Sequence, residues 1–169
     1  MKELRARKNI RLKDYDYSTA GYYFVTICVK NGYELLGKIV ETNVVGNVPP
    51  RVPYTKLSEI GAFVDEQIQK TNDIYPNVEI DKYVIMPNHV HAIVIISKGT
   101  RRGTFPTNTS ISQTVQSIKS MTTKKIGYSI WQKSFYDHII RNETDYQRIC
   151  SYINENPAKW TEDKYFVEI

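Results

Sequence analysis

The stretch Val78–Ser97, VEIDKYVIMPNHVHAIVIIS, decides the fold because it consists of two β-prone segments with a turn between them. Val78–Met86 and His89–Ser97 are rich in β-branched and aromatic residues, and Pro87-Asn88 separates them. Val90–Ile96 is apolar on both faces, which is typical of a strand in the centre of a sheet. The sequence therefore predicts an antiparallel pair at the middle of a sheet.

Upstream of this pair the sequence predicts a second hairpin. Tyr22–Lys30 is β-prone, and Asn31-Gly32 follows as a hairpin turn signal leading into Tyr33–Thr42. Segment 43–56 contains Gly46 and three prolines, and is predicted to be a loop or an irregular extension of the strand.

Helices and one more strand complete the predicted order. Apolar residues recur at helical spacing in Ser58–Asn72 and Ser110–Ile126, with Ser58 as an N-cap. Phe135–Arg141 is a short β-prone segment, and a last helix runs from the cap Asn142 to about Asn156, before Pro157. The order β-β-α-β-β-α-β-α predicts an α+β fold: a ferredoxin-like antiparallel sheet of four to five strands with helices packed on it.

Length and charge bound the class of protein. A chain of 169 residues suits one domain, 1–169, with a basic N-terminal arm at 1–18 and a mobile loop at 98–109. Residues 82–136 hold eight lysines and arginines and no Asp or Glu, and residues 1–13 add a further local excess of positive charge. This pattern favours a polyanionic partner, and a solvated basic surface remains the alternative.

Other classes of protein are not indicated. The longest apolar runs, such as Val90–Ile96, are far shorter than the roughly 20 residues of a membrane helix. The charged N-terminus lacks the apolar centre of a signal peptide, so we expect a cytoplasmic protein without a membrane partner. Cys28 and Cys150 form no C-x-x-C motif, and no thiolate metal site or disulfide framework is predicted.

His89-Val90-His91 is the strongest chemical signal in the chain. Residues two apart on a strand project from the same face, so both imidazoles are placed to hold one cation. A catalytic metal site needs a further ligand and an open position.

The last helix offers candidates for the rest of the site. Its apolar stripe is predicted to pack on the sheet, and consists of Tyr146, Ile149, Cys150 and Ile153. Tyr152 and Asn156 lie off that stripe, four residues apart, so a phenol and an amide share one flank. Among thirteen tyrosines, this position alone does not select Tyr152 over Tyr136 or Tyr146.

Three ordered segments resemble the single-tyrosine HUH transposases, and most closely the REP-associated tyrosine transposases. They are YDYSTAGYYFVTICVKNGYELLG at 15–37, YVIMPNHVHAIV at 83–94 and SFYDHIIRNETDYQRICSYINENPAKW at 134–160. The resemblance implies His89 and His91 as metal ligands, Asn156 as the additional ligand and Tyr152 as the nucleophile. Related insertion-sequence enzymes often carry Gln at the position of Asn156.

The resemblance also implies an activity. The expected function is a metal-dependent single-stranded DNA endonuclease and strand transferase that forms a 5′-phosphotyrosine intermediate. Mg²⁺ or Mn²⁺ is the implied cofactor, and imidazole ligands suit Mn²⁺ better. The expected partner is single-stranded DNA with hairpin elements, and a homodimer is left open. Candidate phosphate contacts are Arg101, Arg102, Lys119, Lys124 and Lys125.

Two alternatives stay open from the sequence. A sheet with aromatic residues can stack single-stranded bases without any chemistry, which would make the protein a binding module. The same chemistry could also serve a replication nickase.

Overall fold

The computed structural model describes residues 16–41, 52–98 and 109–167. Within these ranges the strands are β1 (Gly21–Cys28), β2 (Gly37–Val40), β3 (Tyr54–Leu57), β4 (Val78–Met86), β5 (His89–Ile96) and β6 (Tyr136–Ile140). The α-helices are α1 (Glu59–Ile74), α2 (Ile111–Ile126) and α3 (Glu143–Glu155), and a 3₁₀ helix at Asn156–Glu162 continues from α3. No helix in the described ranges is long and apolar enough to cross a membrane.

The main sheet is antiparallel with the strand order β4-β5-β1-β6. Leaving aside the small β2–β3 pair, the chain passes through β1, α1, the β4–β5 hairpin, α2 and β6. That connectivity and strand order are those of the ferredoxin-like fold. The predicted α+β class is therefore confirmed, and β5 lies inside the sheet between β4 and β1, as its two apolar faces predicted.

The two faces of the sheet are covered by different helices. One face packs with Val64 of α1 and Val115 of α2 in the larger buried cluster. The opposite face carries Phe24 and Ile93, which pack with the stripe of α3. The stripe predicted for the last helix is thus buried on the sheet, at Ile149, Cys150 and Ile153, with Tyr146 packed beside them.

The predicted hairpin between the first two strands is wrong. Asn31 and Gly32 do adopt positive φ angles of 58° and 72°, but they belong to a short 3₁₀ turn. Both edges of β1 are already paired, with β5 and β6, so neither is free for the next strand. Instead β2 pairs with β3 in a separate two-stranded sheet. Much of segment 43–56 lies outside the described residues, and its end forms β3.

The predicted helix starts match the structure. Ser58 caps α1 by accepting a hydrogen bond from Gly61 N, and Asn142 caps α3 by accepting one from Asp145 N. Ser110 and Gln113 form a reciprocal capping box at α2. The N-terminal arm up to residue 15 and nearly all of the loop at 98–109 lie outside the described residues.

The packing of α1 against the loop before β2 generates a test at Gly61. A Cβ atom at Gly61 would meet Leu36 O at 1.9 Å, which requires the backbone to move. We therefore expect Gly61→Ala to lower the free energy of unfolding by about 2 kcal/mol or more. Helix propensity alone would predict the opposite sign, a gain of about 1 kcal/mol.

Chemical denaturation measures the sign directly. The exposed neighbour Ala62 provides the control, because Ala62→Gly should cost only about 1 kcal/mol through propensity. A Gly61→Ala protein that is more stable than the unaltered chain contradicts the close approach of α1 to Leu36.

Candidate metal and tyrosine site

His89 and His91 project side by side from β5 onto the face covered by α3. Both are fully buried, and their Nε2 atoms lie 3.0 Å apart. The ring of Tyr152 on α3 packs against His91, and the rings of Trp160 and Tyr165 in the C-terminal segment pack against His89. The alternation of the strand therefore produces the paired imidazoles that the sequence predicted.

Hydrogen bonds on the far side of each ring orient the pair. Asn88 Nδ2 donates to the carbonyls of Gly32 and Tyr165, which fixes the amide so that its Oδ1 accepts from His89 Nδ1 at 2.8 Å. His89 Nε2 then carries a lone pair that faces the site. Thr26 lies opposite His91 in the register of β1 and β5, and its Oγ1 lies 2.8 Å from His91 Nδ1.

The pair is held in the neutral form. Burial lowers the pKa of His89 to about 4, with Lys164 adding to the decrease and Asp163 opposing it. Burial, followed by the neighbouring His89 and then Lys164, holds the pKa of His91 well below its usual value. Neutral imidazoles are the form that binds a metal ion, so protons compete little with a cation at neutral pH.

Helix α3 brings Tyr152 to the histidines. Its Oη lies 3.2 Å from His91 Nε2 and donates to Asp163 Oδ2, also at 3.2 Å. The side chain is 38% exposed, so the phenol borders both the buried pair and solvent. Burial, and next Asp163, raise the pKa of Tyr152 to about 12.

Asn156 follows on the same flank of the helix and is almost completely buried. Its Nδ2 donates to Asp163 Oδ2 at 3.0 Å. Its Oδ1 is also buried, and among the described residues it has no hydrogen-bond partner. The predicted flank therefore faces the site, with Tyr152 and Asn156 both bonded to one carboxylate.

Sequence reasoning missed two residues that the C-terminal segment adds. Asp163 and the two histidines offer ligand atoms that all lie within 4.8 Å of one another. The ring of Tyr165 packs over the pair, with centroids 4.6 Å from His89 and 5.9 Å from His91. Asp163 stands in the ordinary charged run TEDK, which gives no signal of its own.

The donor set fits a divalent cation. Neighbouring ligands around an octahedral ion at about 2.1 Å are roughly 3 Å apart, which matches the spacing of the two Nε2 atoms. In the metal-free protein this spacing is that of a hydrogen bond from His91 Nε2 to the lone pair of His89 Nε2. Both nitrogens can bind a cation when His91 carries its proton on Nδ1 instead, where Thr26 Oγ1 accepts it. Asp163 and the unbonded oxygen of Asn156 are the hard oxygen ligands that Mg²⁺ and Mn²⁺ accept.

The predicted phosphate contacts are not gathered at this site. Lys119 is buried, and its Nζ donates to the carbonyls of Gln132 and Ser134, so it fastens α2 to the following loop instead of facing a phosphate. Lys124 and Lys125 are exposed in the last turn of α2, in the helix layer on the opposite face of the sheet. Arg101 and Arg102 lie outside the described residues.

The fold and the site together define a class: a ferredoxin-like protein in which a helix sets a tyrosine against a buried pair of histidines. No protein-family model matches the chain. An uncharacterized protein of Haemophilus influenzae is 33% identical over 96% of this chain and 94% of its own length. The REP-associated tyrosine transposase of Escherichia coli is 34% identical over 48% of this chain and 45% of that protein.

A solved structure extends the likeness to most of the fold. A REP-associated tyrosine transposase bound to a REP hairpin superposes with a TM-score of 0.62 and 25% identity, covering 91% of this chain and 76% of that one. The chain belongs to the REP-associated tyrosine transposase family.

The support of His89 by Asn88 leads to a measurable expectation. In Asn88→Ala the imidazole loses the acceptor that fixes its tautomer, and we expect Mn²⁺ affinity to fall about 10- to 100-fold. Isothermal titration of the metal-free protein with Mn²⁺ measures the change.

Asn77→Ala is the matched control, because Asn77 is another buried asparagine whose amide holds the Thr109 carbonyl, away from the histidines. It should lower stability and leave Mn²⁺ affinity unchanged. Equal loss of affinity in both variants would show that Asn88 acts only through general stability.

The lowered histidine pKa values predict a pH dependence of stability. Unfolded histidines, with a pKa near 6.5, bind protons below that pH, whereas the buried pair stays neutral down to about pH 4 at His89. The free energy of unfolding of the metal-free protein should therefore fall as pH decreases from about 6.5 to about 4. Each histidine adds at most about 1.4 kcal/mol per pH unit to this slope. Neither adds to the slope above about pH 7, because both histidines are then neutral in the folded and the unfolded protein.

Denaturant titrations across this pH range give the slope. A double variant, His89→Gln with His91→Gln, should lose this part of the dependence and keep what the carboxylates contribute. The same slope in both proteins would mean that the pair titrates normally in the folded state.

Proposed function

We propose that this protein is a metal-dependent single-stranded DNA endonuclease and strand transferase in which Tyr152 is the nucleophile. Its family makes it a transposase-like, DNA-processing protein. The observation that carries the finer proposal is the position of Tyr152 Oη, 3.2 Å from both His91 Nε2 and Asp163 Oδ2. A phenol, two neutral imidazoles and a carboxylate are the groups that a metal-assisted attack on a phosphodiester requires.

We assign the metal ligands to His89 and His91, with Asn156 and Asp163 supplying oxygen. Mg²⁺ or Mn²⁺ bound there would polarise the scissile phosphate and offset the negative charge that develops on it. Tyr165 packs against both rings and limits the access of water to them.

The remaining steps use the chain's own residues. With its pKa raised to about 12, Tyr152 is protonated at neutral pH and must lose its proton as it attacks. Asp163 accepts the hydrogen bond of Oη, and so orients the phenol and lies on the path by which the proton leaves. The new bond joins Oη to phosphorus, while the bond to the 3′-oxygen breaks and that oxygen takes up a proton.

The resulting 5′-phosphotyrosine keeps the free energy of the original phosphodiester. A second DNA 3′-hydroxyl can therefore attack the same phosphorus, release Tyr152 and join a new strand. The hairpin bound by the structural neighbour supports a hairpin as one part of the substrate. We propose that the strand cleaved by Tyr152 is the single-stranded DNA beside it. Lys124 and Lys125 are exposed on the opposite face of the sheet from Tyr152, so we propose that they contact phosphates of the hairpin away from the scissile bond.

A covalent-adduct assay tests the proposal. Labelled single-stranded DNA carrying a hairpin is incubated with the protein and Mn²⁺ or Mg²⁺, and a denaturing gel resolves a protein–DNA adduct. We expect Tyr152→Phe to reduce the adduct at least about 10³-fold, and chelation of the metal to abolish it.

Tyr136→Phe is the matched control, because Tyr136 on β6 is another partly buried tyrosine and should keep the adduct. DNA binding without any adduct in the unaltered protein would favour a non-catalytic binding module. An adduct that never transfers to a second oligonucleotide would indicate a nickase.

A further inference from the structure

A cavity separate from the histidine site lies on the same face of the sheet, near the start of α3. Its volume is about 460 Å³, within the range of pockets that enclose small ligands. Ile95 and Ile140 contribute apolar lining, and the rings of Tyr22 and Tyr146 meet edge to face with centroids 5.9 Å apart. Tyr22 is 45% exposed, so one aromatic surface is open to solvent.

An irregularity in β4 directs the side chain of Asp81 into this cavity. The register with β5 shifts between Ile80 and Lys82, so Asp81 is the extra residue of a bulge. Bulges redirect side chains and are frequent beside binding sites. Asp81 Oδ2 accepts a hydrogen bond from Tyr146 Oη at 2.6 Å, which places the carboxylate in the cavity beneath α3.

The charges of the cavity favour a neutral ligand over a phosphate. Asp81 and Glu143 contribute two carboxylates, and Arg141 contributes one guanidinium. A phosphate placed inside would face two like charges, whereas a nucleobase carries none. Arg141 is exposed, where it can reach the phosphate next to a base that enters.

We propose that this cavity binds one unstacked nucleobase of the DNA, and that it selects a base with an exocyclic amino group. The inference rests on the proposed function, because it takes single-stranded DNA as the substrate. Tyr22 supplies the surface on which the base stacks. A carboxylate only accepts hydrogen bonds and has room for about four, so Asp81 can receive an amino group while Tyr146 keeps its own bond.

Thymine is disfavoured by the same chemistry. Its Watson–Crick edge has two carbonyl oxygens on either side of a single N–H, and both oxygens would repel the carboxylate of Asp81. Adenine, cytosine and guanine each present an amino group that donates to it. The cavity should therefore bind adenine, cytosine and guanine more tightly than thymine.

The cavity is placed to act together with Tyr152. Tyr146 and Tyr152 lie six residues apart on α3, which corresponds to about 9 Å along the helix axis. About three stacked nucleotides cover that distance. A base held by Tyr22 and Asp81 would thus fix the position of a phosphate a few nucleotides away, at the nucleophile.

Equilibrium binding without metal tests the cavity independently of cleavage. The probes are fluorescent DNA stem-loops with single-stranded tails of dA, dC or dT on both sides of the stem, titrated with the full chain in EDTA. We expect the dA and dC tails to bind about tenfold more tightly than the dT tail. Equal affinity for the three tails, or no binding of any of them, overturns the proposal.

Single substitutions test whether Asp81 and Tyr22 are responsible for the preference among the tails. Asp81→Asn keeps an acceptor for Tyr146 but gains a donor. In this variant the affinities for the dA, dC and dT tails should differ by no more than about twofold. Tyr22→Ala should lower the affinity for all three tails by about fivefold or more, because the base loses its stacking surface. Glu79→Gln, an exposed acid on the same strand, and Tyr33→Ala, an exposed tyrosine outside the cavity, are the matched controls and should change nothing.

The outcomes separate this inference from the proposed cleavage. A tail preference that depends on Asp81, in a protein that forms no adduct, supports the cavity and contradicts only the cleavage chemistry. A preference that survives in Asp81→Asn contradicts the cavity whether or not the adduct forms. Because Tyr22 is exposed, Tyr22→Ala gives a result even where the Asp81 variant does not fold, and unchanged affinity in it also contradicts the cavity.

Discussion

Burial of a central strand on both faces is the constraint on which the rest of the molecule depends. Strand β5 is enclosed by β4 and β1 at its edges and by helices above and below. Polar side chains on such a strand are costly to desolvate unless they are neutral and hydrogen-bonded. His89 and His91 meet both conditions, through their lowered pKa values and through the bonds to Asn88 and Thr26. Burial by the sheet and its helices therefore keeps both imidazoles neutral, which is the form that a metal site requires.

Much of this arrangement could be predicted because it depends on short-range patterns. Alternation along His89–Ile96 gives both the central position of the strand and the shared face of the histidines. The apolar stripe of α3 leaves Tyr152 and Asn156 together on one flank. Ser58 and Asn142 begin their helices where their side-chain oxygens can cap free N–H groups. Each of these inferences needs only the geometry of one strand or one helix.

What the sequence did not reveal depends on which distant segments meet. Asn31-Gly32 has the backbone angles of a tight turn, yet the hairpin fails because β1 already has two partners. Asp163 and Tyr165 reach the histidines only because the chain folds back through a 3₁₀ helix after α3. Lys119 resembles its exposed neighbours in the sequence, but the loop after α2 takes up its ammonium group.

The unequal size of the two cores has a consequence for motion. In the described chain, nineteen buried residues form the cluster beneath α1 and α2, whereas six form the one beneath α3. Regions with less buried apolar surface open at lower free energy, in units smaller than the whole protein. Of the three helices packed on the main sheet, the one that carries the phenol should therefore open at the lowest free energy, while the strand that carries the imidazoles stays closed. Amide hydrogens of α3 would exchange with solvent well before those of β5, and the two halves of the site would separate without global unfolding.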